Sequence, residues 1–146
     1  VLTRTVTGAN GQTLYARVRV RDNAGNTSPW SGDSDGIRVD TVRPRLTNAV
    51  SNNSCAVTVT FDEPVANATQ TANFAFSCGL CVIQVQRLSD SQYRLHTTAQ
   101  TPNTSHTVTV GDLVRDRAGN AIDPLYCSRS FTSAQKTSAL SWTLYR

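Results

Sequence analysis

The sequence of 146 residues is longer than one small β-sandwich of about 100 residues needs and shorter than two require. Its hydrophobic share of 38% suits thin two-sheet packing, and no apolar run is long enough to span a membrane, which argues against membrane insertion. The net charge of +4 rests on scattered arginines, with Lys136 the only lysine, so the basic patch with interleaved aromatics that nucleic-acid binding needs is missing.

In chain order, Thr3–Thr7 alternates as a short strand and Gly8–Gly11 is a turn cluster. Leu14 to Arg21 has strict period two: Tyr15, Arg17, Arg19 and Arg21 fall on one face and Leu14, Ala16, Val18 and Val20 on the other. The turn Asp22–Asn26 follows, a new strand starts near Ser28–Ser31, and Ile37–Val39 ends the unit. Pro44 stops pairing and stiffens a short junction, so residues 1–40 are expected to form one unit, 41–134 a second and 135–146 a tail. Within the second unit, strands are expected at Leu46–Val50, Ala56–Phe61, Phe74–Ser77, Val82–Leu88, Tyr93–Thr98, His106–Val110 and Cys127–Thr132, with a single helical turn between Asn67 and Asn73. Strands spaced by roughly 8–12 residues indicate a sandwich, and no stretch has helical periodicity. The fold class is therefore all-β.

One internal echo stands out. Val20–Asn26 and Val114–Asn120 both contain Asp-x-Ala-Gly-Asn, in which the aspartate bonds backbone N–H groups ahead of it and the glycine supplies a positive φ. Asp22, Gly25 and Asn26, with Asp116, Gly119 and Asn120, are the expected turn residues.

On Val57–Val65, Ala72–Phe74, Thr107–Val110 and Asp116–Asn120, residues 44–134 resemble the bacterial Ig-like domain family named after SbsA-type S-layer proteins. The resemblance covers about two thirds of the chain and implies an immunoglobulin-like sandwich used as a spacer or stalk. Residues 3–40 are similar to the back half of a fibronectin type III domain through Thr5–Gly8, Thr13–Tyr15, Val18–Val20, Gly25–Ser28 and Trp30–Ser31. That likeness places Tyr15 at a tyrosine corner and implies an incomplete sandwich lacking its first strands. Ser138–Thr143 resembles the second strand of such a domain, so Ala139, Leu140, Trp142 and Leu144 form a candidate donor strand.

Candidate chemistry is sparse. His96 and His106 have no matched acid or nucleophile, and Asp62 and Glu63 end a strand instead of facing a second carboxylate, so no enzyme is expected. Four cysteines in a small β-rich chain suit disulfides and an oxidising, extracellular compartment. Three pairings are open. Cys55–Cys127 with Cys78–Cys81 is preferred over a zinc site, because Cys55 and Cys127 are isolated in sequence and the other two flank what reads as a hairpin turn. Asp33, Asp35, Asp40, Asp112, Asp116 and Asp123 are loop oxygen donors without EF-hand spacing, so no cofactor is expected and Ca2+ is the one candidate.

The functional expectation is an extracellular or bacterial cell-surface structural protein, a stalk or fibre subunit. Its partners would be other copies, assembled head-to-tail by strand complementation, or neighbouring domains of the same protein. The alternative is an adhesin or carbohydrate-binding module of a larger secreted protein, with polysaccharide as partner and Trp30, Tyr126 and arginines as contacts.

Overall fold

The computed structural model describes residues 5–134. The chain divides into two units between Val42 and Arg43.

The first unit is a long ribbon closed near its base by β1 (Thr13–Leu14) and β2 (Ile37–Arg38), paired antiparallel. Above them the pairing is carried partly by side chains. The N–H groups of Ser28, Ser31 and Ser34 donate to the carbonyls of Val20, Val18 and Ala16. The N–H groups of those same three residues donate back to the serine Oγ atoms, each at 3.0 Å. Serine recurs every third residue while its partner strand advances by two, so the returning strand carries a repeated bulge. Of the expected strand Leu14–Arg21 only the start is regular, β1 being Thr13–Leu14, because period-two reading cannot see the period-three return that bulges the pairing.

The second unit is a two-sheet sandwich. One sheet holds β3 (Leu46–Asn53), β4 (Ala56–Phe61), β7 (Val82–Arg87) and β8 (Gln92–Thr97) in the order β3-β4-β8-β7. The other holds β6 (Phe74–Phe76), β9 (Ser105–Val110) and β11 (Ser128–Thr132) in the order β11-β9-β6. A small pair joins β5 (Val65–Ala66) to β10 (Arg115–Asp116), and the expected helical turn is a single 3-10 turn at Thr71–Asn73. The sheets bury alternate residues against each other. Val57, Val59 and Phe61 of β4 meet Tyr93 and Leu95 of β8, together with Val108 and Val110 of β9 and Phe131 of β11. Phe61 sits edge-on to Tyr93 at 6.1 Å and Phe76 edge-on to Phe131 at 5.8 Å, the offset geometry that aromatic quadrupoles favour.

Strand registers define two ends. Leu46, Phe61 and Ser128 lie at the proximal end, where β3 begins; Asn53, Ala56, Ser105 and Thr132 lie at the distal end. The backbone therefore comes in at one end and goes out at the other, where the Ala134 N–H donates to Ser51 Oγ.

His106 is buried inside this core, stacked on Phe131 at 5.7 Å, with neither ring nitrogen hydrogen-bonded. A buried polar atom without a partner costs about 1–3 kcal/mol. His106→Leu is expected to raise stability by about 1 kcal/mol, read as a higher urea midpoint at unchanged slope.

Candidate functional site

The two Asp-x-Ala-Gly-Asn turns are built alike. In the ribbon the Asn26 N–H donates to Asp22 Oδ1 at 2.8 Å and Asn26 Nδ2 to Asp22 Oδ2 at 2.9 Å. In the sandwich the Asn120 N–H donates to Asp116 Oδ1 at 2.8 Å and Asn120 Nδ2 to Asp116 Oδ2 at 2.7 Å. Gly25 and Gly119 take φ of 92° and 95°, a region in which a side chain is strained. The device also includes the preceding arginine: Arg21 Nε donates to the Gly25 carbonyl and Arg115 Nη1 to the Gly119 carbonyl. Only the second turn is buried at its aspartate.

Asp22 is solvated, and its carboxyl is held below the usual carboxylate range, first by the Asn26 side-chain amide and then by the Asn26 backbone N–H. Its contribution to the turn is fully present above the unfolded value and is lost as pH falls through the lower folded value. The Asn26 backbone and side-chain N–H resonances should therefore titrate with a midpoint below that of a free aspartate; a midpoint at the free value would contradict the bonding.

Tyr15 is not in a corner. Its ring is 62% exposed and lies over Gly36, whose φ of 84° and lack of a Cβ let the ring approach. The corner arrangement occurs instead at Tyr93, whose buried hydroxyl donates to the Val65 carbonyl at 3.0 Å and reaches the Asp90 carbonyl three residues upstream at 3.4 Å. Burial pushes the Tyr93 hydroxyl above its ordinary pKa. In sequence the signal was available as Asp90-Ser91-Gln92-Tyr93, a turn running into an alternating strand.

The preferred disulfides are corrected: all four cysteines are free thiols. Cys55 precedes β4 at the distal end, where its carbonyl accepts the Thr97 N–H, whereas the Cys127 carbonyl accepts the Val110 N–H at the proximal end. The six residues of β4 separate those ends by ~20 Å, against the ~7 Å limit between Cα atoms of a disulfide. Cys78 and Cys81 do not flank a hairpin, because β6 and β7 belong to different sheets. Their segment is a crossover anchored by buried Leu80, with Cys81 Sγ facing the Gly79 carbonyl at 3.7 Å.

Four of the exposed or half-buried acidic residues have structural partners. Asp33 forms an ion pair with Arg17, which holds its carboxyl below the usual range. Asp123 pairs with Arg45 at 3.3 Å and accepts the Leu125 N–H, Asp40 accepts the Val42 N–H, and Asp62 accepts the Arg45 N–H at 2.7 Å. His96 and His106 sit in different sheets, His106 facing inward and His96 on the outward face of β8. Arg19 stacks on Trp30 at 4.7 Å and Arg45 on Tyr126 at 4.4 Å, so both candidate sugar-stacking aromatics are covered on one face by a guanidinium.

The ribbon has one feature that its own residues do not satisfy. Val6, Val18, Val20 and Ile37 are 66–74% exposed. Val18 and Val20 belong to the apolar face that period two assigns inward, yet no second sheet covers it among the described residues. The candidate donor residues Ala139, Leu140, Trp142 and Leu144 lie outside the described residues.

A two-sheet antiparallel sandwich with a buried tyrosine corner and β3 beginning where β11 begins defines an immunoglobulin-like domain. The profile of the bacterial Ig-like domain matches residues 33–133, and the chain belongs to that family. Solved structures with the same fold include the S-layer protein SbsC spanning residues 31–844, at 21% identity and TM-score 0.57, covering 64% of this chain and 14% of that one. Another is the N-terminal part of the bacterial S-layer protein SbsC, at 21% identity and TM-score 0.56, covering 64% of this chain and 24% of that one. A third is SbsC domains 1–6, at 20% identity and TM-score 0.57, covering 64% and 14%. The chain thus spans less than a quarter of the length of these S-layer structures. No curated protein matches it.

Proposed function

We propose that the chain is a non-catalytic structural module of a bacterial cell surface, and that its amino-terminal ribbon is completed by strand addition from the carboxy-terminal segment of a second copy. The observation that carries this is the exposure of Val6, Val18, Val20 and Ile37 in the ribbon. Fully burying such side chains stabilises by about 1.5–3 kcal/mol each, so covering four of them is a sizeable driving force for adding a strand.

The sandwich supports the spacer role through its topology: the backbone comes in proximally and goes out distally, so force would be borne along the strands. In sequence, Ala139–Leu144 alternates apolar Leu140, Trp142 and Leu144 with Ser141 and Thr143, the pattern that a donor strand requires. A head-to-tail contact of this kind between copies stays open and grows into a fibre.

Sedimentation and electron microscopy of the chain, beside a variant lacking residues 138–144, test the proposal. Filaments or concentration-dependent oligomers that vanish with the deletion are expected. A strictly monomeric parent chain at high concentration, or oligomers unaffected by the deletion, would overturn strand addition.

A further inference from the structure

A groove of about 310 Å³ lies on the side of the sandwich, walled by Pro64–Thr69 and by Arg87, Asp90, Tyr93 and Arg117. We infer that this groove binds the carboxylate of an acidic sugar unit, with Arg117 and Arg87 as its guanidinium contacts.

The internal repeat serves as a control. The two turns share arginine, aspartate, alanine, glycine and asparagine in register, with the same hydrogen bonds. They differ only at the position after the aspartate, which is Asn23 in the ribbon and Arg117 in the sandwich. The turn therefore does not need arginine there. Arg117 is instead directed to Asp90, where its Nη2 meets Oδ2 while Arg87 Nη2 meets Oδ1. Arg87 is further steadied by donating through Nε to the Ser89 carbonyl at 3.3 Å.

Two guanidinium charges against one carboxylate leave the groove with one positive charge. Each guanidinium has five N–H donors and gives Asp90 only part of them, so donors remain for a second planar anion. The floor is fixed, because the Tyr93 hydroxyl is committed to the Val65 carbonyl. The volume sits at the small end of ligand pockets, suited to a single ring. Both guanidiniums are more than half exposed, so the pocket is open enough to take one unit of a longer glycan.

The test is an NMR titration of the full chain with glucuronate, acetate and glucose at low ionic strength. Glucuronate should shift the amides of Val65–Thr69 and the side-chain N–H signals of Arg87 and Arg117, weakly and with affinity falling as salt rises. R117N, which installs the residue of the ribbon's turn, should retain the wild-type melting temperature and weaken binding at least about tenfold, as should R87Q. Glucose should leave the groove unshifted, and acetate should bind more weakly than glucuronate. Equal responses to glucose and glucuronate, acetate binding as tightly as glucuronate, or unchanged binding in a folded R117N would each overturn the assignment.

Discussion

Leu95→Ala is expected to destabilise the sandwich by about 3–4 kcal/mol. Leu95 is fully buried in β8, between β4 and β7, and faces the second sheet within the continuous cluster formed by Val57, Val59 and Val108. Truncation removes the transfer free energy of three carbons. It also leaves a void that strands hydrogen-bonded on both sides cannot close, since β4 and β7 fix the position of β8. For a domain of this size the melting temperature should fall by roughly 15–25 °C. Ile83→Ala is the matched comparison, because Ile83 lies in neighbouring β7 but is largely exposed. It should change stability by no more than about 0.5 kcal/mol. Equal effects at the two positions would mean that the sheet faces are assigned wrongly.

The fold was readable wherever one residue pair decides the face. In Ala56–Phe61 the valines and phenylalanine alternate with threonines, and the structure buries Val57, Val59 and Phe61 together. The turn motif was readable because it is local: aspartate, glycine and asparagine meet within five residues and need nothing from elsewhere. The cysteines were not, since pairing depends on which sheet a strand joins and at which end a residue falls. Nothing in Cys78-Gly79-Leu80-Cys81 distinguishes a hairpin from a crossover until β6 is found beside β9 and β7 beside β8. Tyr15 and Tyr93 illustrate the same limit: both follow a turn into an alternating sequence, but among the described residues only Tyr93 has an opposing sheet to bury it. Arg117 was hidden in plain view, occupying the one variable position of a repeated motif, with its partner Asp90 27 residues away.

The same repeat yields the second large effect. Asp116→Ala should cost about 2–3 kcal/mol, whereas Asp22→Ala should leave the unfolding midpoint of the sandwich unchanged, although the two aspartates make matching bonds. The difference is burial. Asp116 is enclosed beside Val114 and Ile122, whose backbones are joined by the Ile122 N–H to Val114 carbonyl bond at 3.0 Å, and its β10 pairs with β5. Removing its carboxylate strips the Asn120 backbone and side-chain N–H groups of an acceptor that water reaches poorly, and loosens the loop that closes the proximal end of the core. Asp22 lies at an exposed tip, where water replaces the lost acceptor at little cost. Thermal melts of both variants, with hydrogen exchange at Ile122 and Asn26, separate the cases. Asp116→Ala should lower the melting temperature by roughly 10–15 °C and speed exchange at Ile122. Asp22→Ala should speed exchange only around Asn26. A large global loss from Asp22→Ala would show that the turn chemistry itself, and not its enclosure, sets the energetic weight of the motif.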